Sequence, residues 1–375
     1  MKNNKTKVLL FSPLRGKIGG ITRWTDNIMT YYNKISPLDI ELFQYYPFVK
    51  DKQGFFLFNR LYRGFFYYVP SIFVLFKLLK KEQIQVLHFC SSGSFGLFRD
   101  YIFLKMAKFL KVKSVIHFHF GRIPDLQCKN NWEYKLICII IKNVDLVVVI
   151  DDLTLTTLKD FGFKNIVLIP NPVSPRIKEI IESNPNIKRN DNIILFAGHH
   201  LPSKGIFELI SACKELKNIK LRMIGYFSDE ILQEIFDKAG NENESWLEIV
   251  GEVNFDEIIK EMLACGIFIL PSHTEAFPNV IIESMATKCP IISTNVGAIP
   301  QMLNVNDVSN LCGLVVQPKN EIELKEAIIK LLDNKDLSDN ISSNAETRVN
   351  SLYSIQVVWN KLEQIWNVKS DDFIK

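Results

Sequence analysis

The chain of 375 residues has little net charge, only +4 with its histidines neutral, so its charge balance carries no nucleic-acid signature. Its seven cysteines are scattered and form no C-x-x-C pair. Cys90, Cys138, Cys265 and Cys289 lie in or beside apolar runs and read as reduced core residues of a cytosolic protein. No G-x-G-x-x-G follows the first apolar run, and no acidic residue ends a clear second strand, which argues against a nicotinamide site. The opening MKNNKTK leads straight into VLLFSP, an apolar stretch too short for a signal-peptide core.

What is there is a packed globular composition, 47% hydrophobic and 23% charged, at a length that predicts two domains. Apolar runs alternate with helical patterns. Lys7 to Ser12 reads as a first strand. A turn containing Gly19 and Gly20 follows, then a helix from about Thr22 to Tyr32. A strand, a glycine turn and a helix in that order let a ligand approach the backbone closely, although an isolated Gly-Gly by itself favours a simple tight turn. Ile84 to Phe89 and Val112 to His119 read as further strands. On the second of these His117 and His119 share one face, with His119 the candidate for a pocket and no third metal ligand in sight. After two more short strands, Pro170-Asn171-Pro172 breaks the chain, and the domain boundary is placed there.

The second half repeats the pattern. Asn192 to Ala197 is a strand, Gly198-His199-His200-Leu201-Pro202-Ser203-Lys204-Gly205 its loop, and a helix follows from about Ile206, with Ser203 as a possible cap and Lys204 in its first turn. The helix dipole disfavours a lysine there, a conflict that a bound anion would remove; an exposed lysine is the competing reading. From Leu270 to Leu303 the pattern is strand, loop, helix, strand, with Glu275 and Glu283 eight positions apart around Phe277-Pro278. A helix starting near Asn279 would turn its unpaired N–H groups toward an anion, with Glu283 one turn inside. Spacing alone also fits a solvated Glu275 and a dipole-favoured Glu283. A last helix is predicted from Ser351 to Trp366.

Phe55 to Leu79 is crowded with aromatics, and Lys77, Lys80 and Lys81 lie in and just after it. Its longest uncharged run, Gly64 to Phe76, is too short to span a bilayer. Aromatic and basic residues together suit a helix at a membrane surface; core helices with snorkelling cations are the alternative. The number of aromatics, more than one helix face can bury, favours the surface.

These residues together resemble the retaining glycosyltransferases of the GT-B group 1 type, glycosyltransferase family 4. The E-x7-E signature stands as Glu275 to Glu283, followed in register by Ser284-Met285-Ala286 and Pro290 to Thr294. Gly198 with Lys204-Gly205 is similar to the family's basic phosphate loop, Gly19-Gly20 to its first glycine loop, Val115 to His119 to its histidine strand, and Pro170-Asn171 to its interdomain turn. The resemblance implies an α/β fold of two Rossmann-like domains with parallel sheets facing a central cleft. Residues 1–170 would take the acceptor, 171–350 the nucleotide sugar, and 351–375 would form a helix packing back toward the first domain. It implies transfer of a hexosyl or N-acetylhexosaminyl group from a nucleotide-diphosphate sugar, UDP-linked, to a glycan or lipid-linked acceptor of surface polysaccharide, without a metal or other cofactor. Nucleic acid is not an expected partner. The expected place is the cytoplasm, against the inner membrane face through residues 55–81. A non-catalytic nucleotide-sugar-binding scaffold is the alternative.

By the same resemblance Glu283 would hold the ribose hydroxyls and Glu275 would lie against the donor sugar. Lys204 would neutralise the leaving diphosphate together with Gly198, His199 and the N–H groups near Phe277, Pro278, Asn279 and Val280. His119 would meet the sugar near its reacting carbon. Four positions depart from the family: His199 for arginine, Lys288 for the glycine after the signature helix, Gln301 for glutamate and Pro172 for glycine.

Overall fold

The computed structural model describes residues 5–13, 19–47, 69–198, 201–240 and 245–367. The chain divides into two compact units, residues 1–172 with 355–375, and residues 173–354. Residues 14–18, 55–68 and 199–200, which carry part of the first glycine loop, most of the aromatic stretch and His199, lie outside the described residues.

The first unit carries a parallel sheet of β1 (Thr6–Phe11), β2 (Ile40–Tyr45), β3 (Val86–Ser91), β4 (Lys113–Phe118), β5 (Leu146–Val149) and β6 (Ile166–Leu168), in the order β2-β1-β3-β4-β5-β6. Helices connect parallel neighbours because a crossover is the only way to return the chain to the same end of the sheet. Covered on both faces, the strands are apolar almost without alternation, as parallel strands are; every residue of β3 is buried. Leu9 and Phe11 of β1 face one core with Leu87, Phe89, Phe103 and Phe118. Val8 and Leu10 face the other, which is closed by Trp24 and Ile28 of the helix Gly20–Ile35 and by Val358, Trp359, Leu362 and Trp366 of the last helix, Ile355–Asn367. That helix begins at Ile355 and not at Ser351. A short π-helical turn, Val349–Tyr353, precedes it, and Ser354 has extended backbone (φ −61°, ψ 146°) that ends one helix before the next. Lys113 Nζ donates to the carbonyl of Ile365 at 2.6 Å, a cation placed at the negative end of the helix.

The second unit carries β7 (Asn190–Ala197), β8 (Lys220–Ile224), β9 (Leu247–Gly251), β10 (Cys265–Leu270), β11 (Ile291–Thr294) and β12 (Leu314–Val316), in the order β12-β11-β10-β7-β8-β9. From β7 the chain fills one side through β9, then crosses to β10 and fills the other. The order therefore reverses between β7 and β10, and in open parallel sheets ligands bind beyond the carboxyl ends of the two strands at such a switch.

Candidate active site

The loops leaving β7 and β10 at this switch hold each other closely. After Gly198 the chain passes through a 3-10 turn, Pro202–Lys204, to Gly205, whose φ of +71° is the left-handed region natural to glycine. A Cβ on Gly205 would lie 2.0 Å from the carbonyl oxygen of Pro271, just past β10, so only glycine allows this approach. The backbone N–H of His273 donates to the carbonyl of Ser203 at 2.8 Å and ties the two loops together. These contacts bring Lys204 Nζ to 2.6 Å from Glu275 Oε1. Ser272 Oγ donates to the same carboxylate oxygen at 2.8 Å, and His273 Nε2 meets Glu208 Oε1 at 2.9 Å.

Two local expectations are corrected here. Ser203 does not cap the helix Ile206–Cys213, and Lys204 does not sit in its first turn. Gly205 occupies the N-cap position, and its left-handed backbone separates the 3-10 turn from the helix. The lysine thus escapes the dipole conflict, and the anion beside it is the Glu275 carboxylate.

The signature helix runs Asn279–Ala286 with Pro278 at its N-cap position. Glu283 is 4% exposed, and Phe277 is buried against Tyr353 with ring centroids 5.7 Å apart. Gly297, at φ +54°, lets the turn after β11 come against the Glu275 loop; a Cβ there would lie 2.2 Å from the Glu275 carbonyl oxygen. The N–H of Ala298 donates to the Ala276 carbonyl at 2.9 Å. The loop carrying Glu275 is therefore braced on both sides. Lys288 keeps the left-handed position after the helix at φ +55°. Arg189 donates to the carbonyls of Thr287 and Lys288, and Lys288 Nζ pairs with Glu346 at 2.8 Å. Those contacts hold a conformation that costs a side-chain-bearing residue about 1–2 kcal/mol.

In the first unit Gly19 is the N-cap of Gly20–Ile35, two residues earlier than the pattern predicts. A Cβ at Gly19 or Gly20 would meet no atom of the described residues within 4 Å. His119 lies one residue past β4, its backbone N–H continuing the pairing with β3 through Ser91. Its ring stacks on His117 at 3.9 Å between centroids, and both of its ring nitrogens are buried. Burial lowers its pKa to about 3, with Asn171 working against the shift. His117 is buried too, and its pKa is held well below the usual histidine value by burial and by its two histidine neighbours.

The second of those neighbours, His88, escapes the sequence reading. It lies on β3, and the pairing of Cys90 with His117 across β3 and β4 puts His88, Cys90 and His117 on one sheet face. Their donor atoms lie within 4.8 Å of one another, a possible metal-ligand set that the two-histidine reading of β4 lacked. Both ring nitrogens of His88 are engaged by protein, however: Nδ1 accepts from Trp366 Nε1 at 3.0 Å, and Nε2 meets His117 Nδ1 at 3.3 Å. The signal was present in the alternation of His88 and Cys90, but only the strand register connects it to His117.

Comparisons with known proteins agree with this architecture. A family model described as glycosyl transferases group 1 matches residues 177–348, and one described as glycosyltransferase family 4 matches residues 19–176. The chain is 22% identical over 347 residues to an uncharacterized glycosyltransferase of Methanocaldococcus jannaschii, covering 91% of this chain and 92% of that one. It is 30% identical over 184 residues to the capsular polysaccharide biosynthesis glycosyltransferase CapM of Staphylococcus aureus, covering 48% of this chain and 47% of that one. Its fold is similar to that of HepE of Anabaena, solved in complex with UDP, at a TM-score of 0.69 and 14% identity over 96% of this chain and 99% of that one. Matched from residue 19 to residue 348 by two adjoining glycosyltransferase models, the chain belongs to the glycosyl transferases group 1 and is a glycosyltransferase of the GT-B fold.

Proposed function

We propose that this glycosyltransferase is a retaining enzyme that moves a hexosyl or N-acetylhexosaminyl group from a UDP-linked sugar to a glycan or lipid-linked acceptor of a bacterial-type surface polysaccharide, such as a capsule. The observation that carries the reading is the Lys204–Glu275 contact at the β7–β10 switch, beside the helix that holds Glu283. A diphosphate entering there meets a cation already partly withdrawn from water and aimed by two braced loops. Such preorganised charge acts where the transition state develops charge, because it need not reorganise during reaction. In the proposed step the bond between the sugar anomeric carbon and the phosphate oxygen breaks. The acceptor hydroxyl forms the new bond on the same face, and its proton passes to the departing phosphate oxygen. Lys204 holds that oxygen's charge, Glu283 the ribose hydroxyls, and Glu275 the donor sugar. His119, neutral through burial, serves as a hydrogen-bonding group toward the sugar rather than as an acid. No resident metal is assigned to this step. The two carboxylates are binding groups here and do not form the acid–nucleophile pair of a retaining hydrolase. Lys288, one of the four departures from the family pattern, keeps the usual cap geometry, which supports the catalytic reading over the scaffold.

The test is thermal denaturation with a panel of nucleotide sugars. A ligand at a hundred times its Kd stabilises by about 2.7 kcal/mol. A UDP-sugar is expected to raise Tm and to be turned over with retained anomeric configuration by NMR. Stabilisation by a GDP- or ADP-sugar alone would overturn the base assignment, and binding without turnover would revive the scaffold.

The acceptor side is proposed to work at the inner face of the cytoplasmic membrane. Among the described residues no helix is long and apolar enough to cross a bilayer. Val69–Lys81 is a helix with Phe73 67% exposed. On Gly96–Phe109 and Trp132–Ile141 the exposed residues include Phe98, Ile102, Phe109 and Trp132. Lys77, Lys80, Lys81, Lys105, Lys108 and Lys135 are exposed on the same three helices. Their only carboxylates, Asp100 and Glu133, are buried against Arg99 and Arg122. Three helices with exposed aromatics and lysines and no exposed acid of their own, Glu82 just past the first being paired with Lys81, fit an anionic lipid interface. Phe73→Ser and Phe98→Ser should each weaken co-sedimentation with vesicles containing phosphatidylglycerol by about tenfold, the loss of one inserted aromatic. Unchanged sedimentation would remove this surface from the proposal.

A further inference from the structure

The buried histidines of the first unit form a directed chain. An indole nitrogen can only donate, so His88 Nδ1, 3.0 Å from Trp366 Nε1, must accept. An imidazole that accepts at one ring nitrogen has a single proton, on the other. That proton is therefore on Nε2, which lies 3.3 Å from His117 Nδ1 and donates to it. His117 in turn accepts at Nδ1, so its own proton is on Nε2, away from His88. The His117 ring stacks on His119, and the Trp24 ring stands edge-on to both, with centroids 5.1 and 5.0 Å away. One indole on the last helix thus decides the tautomer of a histidine on β4, although the two residues are far apart in sequence.

We propose that Trp366 and His88 are positioning residues for His119: they lock His117 as its Nε2–H tautomer, and that fixed ring holds His119 in one orientation just past the end of β4. The inference rests on the reading of His119 as the group that meets the transferred sugar. An imidazole free to exchange tautomers would also be free to flip, and a contact at a reacting carbon is sensitive to such displacement. Neither Trp366 nor His88 needs to touch a ligand for this.

The test uses the full chain with ¹⁵N-labelled histidine, in which long-range ¹H–¹⁵N correlations distinguish the two tautomers. Both His88 and His117 are expected as Nε2–H in the wild type. Trp366→Phe keeps an aromatic ring but removes the donor; it should give mixed tautomers at both positions. It should also lower kcat by about tenfold with less than about a twofold change in the KM for the nucleotide sugar. His88→Leu should do the same to kcat. His88→Gln, whose amide can accept from Trp366 and donate to His117, should stay within about threefold of wild type. A merely structural role would not separate His88→Gln from His88→Leu at equal Tm. An Nδ1–H form of His88 in the wild type, or unchanged tautomers in Trp366→Phe, would overturn the chain. Tautomers that shift while kcat holds would instead overturn the role of His119 on which the inference depends.

Discussion

Lys204→Ala should lower kcat by roughly 10²–10³-fold, the usual loss when one preorganised group facing developing negative charge is removed. The expected KM change for the nucleotide sugar is smaller, because the ribose and base contacts remain. The variant should also be less stable. Lys204 and Glu275 are 22% and 12% exposed, and removal of the lysine leaves the carboxylate with the Ser272 hydroxyl, which donates to it at 2.8 Å. An ion pair this close to burial costs more to break than to omit, and allowing for its partial exposure the loss is about 1–2 kcal/mol. Lys204→Met combined with Glu275→Gln separates the two effects, since it removes both charges at once. Calorimetry should show Tm recovering toward wild type in the double variant while steady-state kinetics stay slow. A well-folded Lys204→Ala enzyme with wild-type kcat would remove the lysine from the proposed mechanism.

Glu283→Ala should act on affinity. A carboxylate that accepts from both ribose hydroxyls is worth one or two charge-assisted hydrogen bonds, so Kd for the nucleoside diphosphate should rise by roughly 10²-fold. Glu283→Gln, which keeps the shape and one acceptor oxygen, should fall between. Isothermal titration with UDP reads this directly, and kcat at saturating donor should change less than Kd. Because Glu283 is nearly fully buried in Asn279–Ala286, the variant's Tm must be measured alongside. Unchanged affinity in a folded protein would place the ribose elsewhere.

Much of this is legible in the amino-acid sequence. Strands buried on both faces announce themselves as apolar runs, so β1, β4 and β7 fall close to their expected places. The signature helix starts at Asn279 as expected because Pro278 can neither extend a helix backward nor supply an N–H. Local chemistry that depends on a partner far along the chain was not legible. Gly205 looks like an ordinary loop glycine until Pro271 is seen against it, and that close approach is what takes Lys204 out of the helix. Lys288 looks like a broken cap until Arg189 is seen holding the carbonyls. His88 reads as one more strand residue, because periodicity assigns a face but not a neighbour across the sheet. The break at Ser354 lies inside a continuous helical pattern, and nothing in the spacing marks it.

The first unit is discontinuous in the chain. One face of its sheet, built from Val8, Leu10, Val86 and Val115, is covered in part by Val358, Trp359, Leu362 and Trp366. Those residues leave the ribosome after the whole second unit. During synthesis the strands of the first unit can pair and the whole second unit can fold while this apolar face still lacks part of its cover. Emerging chains gain about 5–20 residues per second, so the interval between completion of β6 and arrival of Trp366 lasts about ten seconds or more. Over that time the face is apolar surface lacking part of its cover, and the first unit's core closes only after the second unit has been made.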